Sequence, residues 1–293
     1  MKHISSLLLS FIIIYSSQAQ VAFDWAVGFG DEEDFDVCRA IAVDDEGNVY
    51  FAADFYGDVD FDPGPGVYEL TSVGANDLAI GKLDSNSNLL WVVRIGNFYN
   101  NWAYGMDIDE AGSVYITGIF SFTVDFDPGP AVYNLTAAPS MQYILKLDTD
   151  GNFLWANSTI ATPNKMDVSA SGRIAITGEF YGGVDFDPGP GTYTLGTGGY
   201  GAFVQVLDID GNFLNAAVGQ GDGGTMGKGI TFDSDDNVII TGRFGTETDF
   251  DPGAGEFILT STSNYDMFVW KLDANGNFLW ADQFDDGIVN GAY

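Results

Sequence analysis

Hydrophobic and polar residues alternate along most of the chain with a period of two, which is the pattern of strands that bury one face. The alternating segments are short, rich in valine, isoleucine, tyrosine and threonine, and separated by turns of Gly, Asp, Asn and Pro. Beyond the N-terminal apolar run, no window has helical spacing. The pattern therefore predicts an all-β protein. In one representative stretch the predicted strands are Trp91–Ile95, Ala103–Asp109, Val114–Phe122, Ala131–Leu135, Tyr143–Leu147 and Phe153–Ala156.

Three sequence signatures each recur four times. The first aspartate of an acidic segment, VDFDPGPG in its first copy, recurs in steps of 65, 60 and 64 residues, at Asp60, Asp125, Asp185 and Asp249. A segment that begins as KLDSNSNLLW recurs in steps of 64, 60 and 65 residues, at Lys82, Lys146, Val206 and Lys271. A third signature, DDEGNVYFAADF from Asp44, keeps the same step. We infer four copies of a unit of about 64 residues.

Each unit contains two antiparallel hairpins, which give four strands, and an extra hairpin that carries the acidic segment. Four strands per repeat are typical of a propeller blade, and a usual blade has about 40–50 residues. The residues of each unit that exceed the usual blade length correspond to the extra hairpin, which spans Phe55–Ser72 in the first copy. The sequence therefore predicts a β-propeller of four-stranded blades with an extra hairpin per blade.

The DFDPG part of the acidic segment is interpreted first as a turn. Asp62 can cap backbone N–H groups, Pro63 fixes φ at the second position, and Gly64 supplies a positive φ at the third, which predicts a type II turn. Phe61 alternates with Asp60 and Asp62, so we expect its ring to point inward and both carboxylates to point outward.

The same carboxylates are also candidate ligands for Ca²⁺. Two aspartates at i and i+2 on one face can share a hard cation with backbone carbonyls. The usual six to eight ligands are not visible within five residues, so the spacing does not require a metal. The candidate ligands are Asp60, Asp62, Asp125, Asp127, Asp185, Asp187, Asp249 and Asp251.

Two other repeated features have a structural and a functional interpretation. The turn Asp148–Asn152 and its counterparts begin like a calcium loop, but their glycine is the fourth residue and apolar residues follow directly. We therefore predict tight hairpin turns, and calcium binding is the lesser alternative.

Recurring tryptophans are interpreted as blade-to-blade packing residues, with sugar stacking as the alternative. They are Trp25, Trp91, Trp155 and Trp280.

Composition restricts the chemistry and the partners. The chain has 42 acidic against 10 basic residues, a formal net charge of −32, which argues against nucleic acid and anionic membrane surfaces as partners. Its single histidine is His3 and its single cysteine is Cys38. With one cysteine, we expect no intrachain disulfide and no Cys₄ zinc site. Once His3 is removed with the N-terminal segment, we also expect no Ser-His or Cys-His catalysis and no zinc site that contains His.

The N-terminus has the features of a secretory signal peptide. Lys2 and His3 precede the apolar run Leu7–Tyr15, and Ser17 and Ala19 occupy the small-residue positions of a cleavage site. The apolar run is too short to span a membrane. We predict a signal peptide over residues 1–19, a repeat domain over residues 20–293, a secreted or cell-surface location, and an extracellular protein or polysaccharide as partner.

The order of signatures resembles a bacterial family, the seven-bladed β-propeller repeat. The segments DSDDNVIITGRF and KLDANGNFLW are the closest matches, and the resemblance extends over four copies from about Val21 onward. It implies secreted or surface-attached proteins, and the inserted DFDPG hairpin is similar to that of a Bacteroidetes-type subgroup. It implies no particular activity.

The two ends of the repeat pattern predict an incomplete propeller. Phe23–Gly30 matches a fourth strand without preceding partners, and Trp280–Tyr293 matches Trp91–Tyr104, where a new unit opens. We expect a fragment of a longer protein, with an open arc of four blades plus partial strands at both ends. A closed four-bladed ring is the alternative.

Three functions are compatible with these features. A non-enzymatic module for binding or display, with calcium as a stabilising ligand, is favoured because the repeat distributes its carboxylates equally. A carboxylate-based polysaccharide hydrolase or lyase would need an acid pair or a base that breaks the repeat; the third candidate is a calcium-dependent adhesin. We expect Lys165 and Lys228 to be exposed loop lysines. The basic residues that break the repeat are Arg39, Lys165, Arg173, Lys228 and Arg243.

Overall fold

The computed structural model describes residues 24–30, 36–221 and 223–284, and the predicted signal peptide, residues 1–19, lies outside them. The described residues form β-strands and turns, which confirms the prediction of an all-β chain, and they include no helix long and apolar enough to cross a membrane. In chain order the strands are β1 (Val37–Val43), β2 (Val49–Phe55), β3 (Asp58–Asp60), β4 (Glu69–Thr71), β5 (Asp77–Leu83), β6 (Leu89–Ile95), β7 (Trp102–Ile108), β8 (Val114–Asp125), β9 (Asn134–Leu147), β10 (Phe153–Thr159), β11 (Thr162–Val168), β12 (Arg173–Tyr181), β13 (Val184–Asp185), β14 (Thr194–Leu195), β15 (Tyr200–Asp208), β16 (Phe213–Gly221), β17 (Met226–Phe232), β18 (Val238–Phe244), β19 (Glu247–Asp249), β20 (Ile258–Thr260), β21 (Asp266–Leu272) and β22 (Phe278–Phe284).

Each copy of the sequence unit forms one antiparallel sheet with four strands in up-and-down order, and we number these sheets 1 to 4. Sheet 1 contains β1, β2, β5 and β6, sheet 2 contains β7 to β10, sheet 3 contains β11, β12, β15 and β16, and sheet 4 contains β17, β18, β21 and β22. One four-stranded sheet per repeat is consistent with propeller blades.

The extra hairpin lies between the second and third strands of each sheet. It is formed by β3 and β4 in sheet 1, β13 and β14 in sheet 3, and β19 and β20 in sheet 4, and β19 also pairs with the end of β16. In sheet 2 it is continuous with β8 and β9, so the strand predicted at Ala131–Leu135 begins only at Asn134 and merges with the one predicted at Tyr143–Leu147.

The first strands of successive sheets pack side by side, β1 on β7, β7 on β11 and β11 on β17. Since all four run in the same direction, the molecule has two distinct ends. The upper end is the one where each first strand begins, and it carries the extra hairpins and the connections between sheets. The lower end carries the Asp-led turns that join the first to the second strand and the third to the fourth.

Tryptophans of the fourth strands join successive sheets. Nε1 of Trp91 in sheet 1 donates to the main-chain oxygen of Thr149 in sheet 2 (2.9 Å), and Nε1 of Trp155 in sheet 2 donates to that of Ile209 in sheet 3 (3.2 Å). Both acceptors are the second residue of the Asp-led turn between the third and fourth strands. The prediction that these tryptophans pack one sheet on the next is confirmed.

A buried phenylalanine anchors each extra hairpin. The ring of Phe126 meets Phe120 edge-on, with centroids 5.3 Å apart, and lies 5.1 Å from the ring of Tyr143. All three side chains are fully buried, so the predicted inward orientation of the DFDPG phenylalanine is confirmed. The same edge-on pair occurs in the other sheets at 5.3–5.7 Å, between Phe55 and Phe61, Phe180 and Phe186, and Phe244 and Phe250.

Candidate functional site

Carboxylates hold each acidic hairpin by accepting backbone hydrogen bonds. In the first copy, Oδ1 of Asp60 accepts the N–H groups of Asp62 (3.0 Å) and Tyr68 (2.8 Å), and Oδ1 of Asp62 accepts that of Gly64 (2.8 Å). These bonds from Asp62 and Tyr68 lower the pKa of Asp60. The same three bonds recur at 2.7–3.1 Å in the other copies, to Asp125 and Asp127, Asp185 and Asp187, and Asp249 and Asp251.

The predicted type II turn is wrong, because Gly64 and its three counterparts do not adopt a positive φ. The turn is instead closed by the aspartate side chain, which bonds the glycine N–H directly. A Cβ on Gly64 would lie 3.0 Å from Oδ1 of Asp62, and a Cβ on Gly66 would overlap Oδ2 of the same residue. Glycine at the position of Gly64 is therefore favoured by the close approach of the carboxylate and not by the backbone angle, whereas the second copy holds alanine, Ala131, at the position of Gly66.

The eight aspartates predicted as calcium ligands thus have a structural role that needs no metal. Within the described ranges, no three His, Cys, Asp or Glu side chains are grouped as a metal site. Calcium binding at these hairpins stays a prediction. The turn at Asp148–Asn152 is a tight hairpin turn as predicted, with the N–H of Gly151 bonded to the main-chain oxygen of Asp148 and a φ of 82° at Gly151.

The first strand of every sheet contains a β-bulge at the same position near the upper end. Bulges redirect side chains and are frequent near functional sites. The bulges of sheets 3 and 4 are in contact, because Nδ2 of Asn164 donates to the main-chain oxygen of Gly227, the residue before Lys228 (2.8 Å). The four residues at this position all differ, although the unit repeats around them: Arg39, Tyr104, Asn164 and Lys228.

Two cations on these strands have no partner among the described residues. Lys165 and Lys228 are exposed and form no hydrogen bond or ion pair within the described part of the chain, and they lie in β11 and β17 and not in loops as expected. Arg173 donates to the main-chain oxygen of Ala274, and Arg243 lies 4.5 Å from the ring centroid of Tyr265. The other described basic residues form ion pairs: Arg39, Lys82, Arg94, Lys146 and Lys271.

Arg39 forms an ion pair beneath the upper end. Its Nε lies 2.5 Å from Oδ2 of Asp54, which is fully buried, and Oδ1 of Asp54 accepts the N–H of Ala103 in sheet 2 (3.0 Å). Burial raises the pKa of Asp54, although the bonds from Ala103 and Arg39 oppose the rise. In sheet 2 the position of Asp54 is held by Ile119, and in sheet 3 the position of Ala103 is held by Pro163, which has no N–H to donate.

Exposed aromatic side chains pair at the upper end. The rings of Tyr99 and Phe122 stack with centroids 4.1 Å apart, and those of Tyr181 and Tyr200 lie 4.9 Å apart. Phe122 has a φ of 61°, a left-handed conformation that glycine adopts at the matching position in sheets 1 and 3. Backbone preference therefore does not explain why phenylalanine occupies this position, whereas an exposed ring stacked on Tyr99 suits a contact surface.

Two carboxylates on the first strands were missed by the sequence reasoning. Oδ2 of Asp107 accepts the N–H of Val168 (2.7 Å), and Oδ2 of Asp167 accepts that of Phe232 (2.8 Å), so each carboxylate joins its sheet to the next. Burial, with the charge of Asp167 nearby, raises the pKa of Asp107 from 3.8 to about 6. Alignment of the copies could have revealed the pair, because alanine and threonine hold the matching positions in sheets 1 and 4.

The comparison with curated sequences agrees with a propeller-like repeat protein. No family model matches the chain. The chain is 25% identical over 277 residues to the uncharacterized WD repeat-containing protein L264 of Acanthamoeba polyphaga mimivirus, covering 77% of this chain and 19% of that protein, so it spans about a fifth of the length of this curated relative. A solved protein of unknown function from Bacteroides caccae is similar with a TM-score of 0.34 and 10% identity, over 88% of this chain and 85% of that one.

Proposed function

We propose that the protein is a secreted or cell-surface binding module, without enzymatic activity, built as an open arc of four propeller blades. Its upper end is the recognition surface. The observation that carries this proposal is the break in the repeat at the bulges, where four matching positions hold four different side chains. A scaffold alone would be expected to repeat them, as it repeats the hairpin phenylalanines and the capping aspartates.

An extracellular polysaccharide is the partner that this surface suits best. The exposed rings of Tyr99, Phe122, Tyr181 and Tyr200 offer flat apolar faces for sugar rings. The free ammonium groups of Lys165 and Lys228 and the carboxylates of the surrounding hairpins supply donors and acceptors for hydroxyl groups. An extracellular protein is the alternative partner, since exposed aromatic residues are also enriched at protein interfaces.

Removing two of the aromatic rings is expected to weaken polysaccharide binding without unfolding the protein. The variant Phe122→Gly, Tyr181→Ala keeps the backbone because glycine is the natural residue at the matching position of Phe122 in two sheets. We expect its affinity for the polymer that the wild type binds to fall at least about tenfold. Affinity electrophoresis in gels containing a neutral β-glucan, a xylan or a polyuronate measures this.

The matched control is Leu90→Ala, Leu154→Ala, which removes exposed apolar side chains near the lower end and should bind like the wild type. Equal retardation of both double variants would contradict recognition at the upper end. Release of reducing ends from a polymer would instead favour the carboxylate-based hydrolase, for which Asp107 and Asp167 form an acid pair that breaks the repeat.

Calcium remains part of the proposal as a stabilising ligand of the acidic hairpins, and a calcium-dependent adhesin is the related alternative. If Ca²⁺ binds the native hairpins, millimolar Ca²⁺ should raise the melting temperature by at least about 3 °C, and a chelator should reverse the rise. The variant Asp62→Asn, Asp127→Asn should lose part of the increase. A melting temperature that is the same with calcium and with chelator would exclude a stabilising metal at these sites.

A further inference from the structure

The extra hairpins give the upper end a strongly negative charge. They contain four acidic residues in sheet 1, two in sheet 2, two in sheet 3 and four in sheet 4, and they contain no lysine or arginine. The two arginines of sheet 1 at this end are neutralised, Arg39 by Asp54 and Arg94 by Asp77 at 2.6 Å. The field over the hairpins therefore attracts cations and repels anions.

Every extra hairpin leaves one carboxylate oxygen for a partner outside the chain. Oδ1 of Asp125 accepts the N–H groups of Asp127 (3.1 Å) and Tyr133 (2.8 Å), whereas its Oδ2 has no hydrogen-bond partner among the residues that the structure describes. Each of these carboxylates is at least partly exposed, and a charged acceptor suits a charged donor such as an ammonium group. The first aspartates of the other copies have the same arrangement: Asp60, Asp185 and Asp249.

These carboxylates lie close to the exposed aromatic pairs. Strand β8 contains both Phe122 and Asp125, three residues apart, which corresponds to about 10 Å along a strand. In sheet 3, Asp185 follows Tyr181 by four residues. A sugar that stacks on such a pair therefore brings the next sugars of its chain within reach of a carboxylate. An ammonium group beside the rings is also attracted by their faces.

We propose that the polysaccharide bound at the upper end is built of amino sugars with protonated amino groups. The aromatic pairs stack on the sugar rings, and Oδ2 of the hairpin aspartates accepts hydrogen bonds from the ammonium groups. Lys165 and Lys228 lie on first strands, whereas the hairpins extend from second and third strands, so the two lysines are left for hydroxyl groups. This inference rests on the proposed function, because it names the class of polymer for the same surface.

Two polymers with the same backbone test this class. Glycol chitosan has free amino groups, and glycol chitin has the same groups as neutral amides. In affinity electrophoresis at mildly acidic pH, we expect glycol chitosan to bind the full chain at least about tenfold more tightly, because several exposed charge pairs form at once. The variant Phe122→Gly, Tyr181→Ala should lose at least about tenfold of its affinity for glycol chitosan.

Two matched pairs of exchanges separate recognition by the hairpins from the general attraction of an acidic protein to a polycation. Asp125→Asn, Asp185→Asn keeps an amide oxygen for the backbone N–H groups but removes two charges at the upper end, and should weaken binding at least about threefold. Asp150→Asn, Asp210→Asn removes the same charge from exposed turns at the lower end, where sheets 1 and 4 have asparagine, and should bind like the wild type. Near-ultraviolet circular dichroism verifies the fold of each variant.

Three results would overturn the inference. The first is an equal loss of affinity in the two aspartate variants, which would indicate attraction by net charge alone. The second is a neutral polymer, glycol chitin or a β-glucan, that binds as tightly as glycol chitosan; the proposed function would then stand, because a polysaccharide is still recognised. The third is a protein that no polymer retards, charged or neutral, in which case the proposed function fails together with the inference.

Discussion

Replacing Phe126 by alanine is expected to lower the free energy of unfolding by about 3–5 kcal/mol. The ring is fully buried between the extra hairpin and sheet 2, with Phe120 edge-on at 5.3 Å and Tyr143 at 5.1 Å. The neighbours lie in long paired strands, so they cannot move in to fill the cavity. Urea unfolding followed by tryptophan fluorescence measures the loss as a lower transition midpoint.

Val132→Ala in the same hairpin is the control. Val132 is 68% exposed, so its loss should be less than about 0.5 kcal/mol. A decrease below about 1 kcal/mol for Phe126→Ala would show that the hairpin does not contribute to the core of the sheet. The four-fold recurrence of DFDPG would then need an explanation other than the packing of its phenylalanine.

The parts of the fold that depend on local pattern could be predicted from the sequence. Period-two alternation and the Asp-Gly turns determine strands and hairpins locally, and the repeat makes every landmark visible four times. The inward orientation of Phe61 and its counterparts was predicted for this reason. The φ of Gly64 was not predicted correctly, because this glycine is favoured by the position of the Asp62 carboxylate and not by a turn type.

The missed features depend on contacts between sheets. Asp107 and Asp167 accept hydrogen bonds from the following sheet, and Lys165 and Lys228 lie on first strands, which pack against the first strands of neighbouring sheets. A pattern within one unit does not contain this information. The upper-end aromatic pairs were missed because they join residues that are separated by a hairpin or a connection: Tyr181 and Tyr200 face each other across β12 and β15, and Tyr99 precedes β7 whereas Phe122 lies in β8.

Where a residue of an interacting pair differs between copies of the repeat, its partner differs as well. Asp109 and Lys146 approach to 3.9 Å in sheet 2, and at the matching positions of sheet 3 both charges are absent, since serine and valine stand there. Asp54 accepts the N–H of Ala103, whereas Ile119 and Pro163 hold the two matching positions in sheets 2 and 3. At these positions the buried polar group is retained where its partner is present and lost where it is absent, in keeping with the cost of an unpaired buried group.

Replacing Arg39 by methionine is expected to lower the free energy of unfolding by about 2–3 kcal/mol at about pH 8. This loss is smaller than that for a fully buried ion pair, because Arg39 is partly exposed. Without the guanidinium, the raised pKa of Asp54 rises further. A carboxyl group with a folded-state pKa above its unfolded value stabilises the fold at low pH, and that stabilisation is lost as pH rises through the folded-state pKa. The cost of Arg39→Met should therefore be smaller at about pH 4, and urea unfolding at both pH values measures the difference.

Two variants separate loss of the ion pair from loss of side-chain packing. Lys228→Met changes the matching bulge of sheet 4, where the ammonium group has no partner among the described residues, and should cost less than about 0.5 kcal/mol. Arg39→Met combined with Asp54→Asn leaves an amide oxygen for the N–H of Ala103 but no buried charge, and should recover most of the stability at about pH 8. If the cost of Arg39→Met were independent of pH and remained in the double variant, Arg39 would act through packing alone. Recovery in the double variant would instead show that the cost arises from the unpaired buried charge of Asp54.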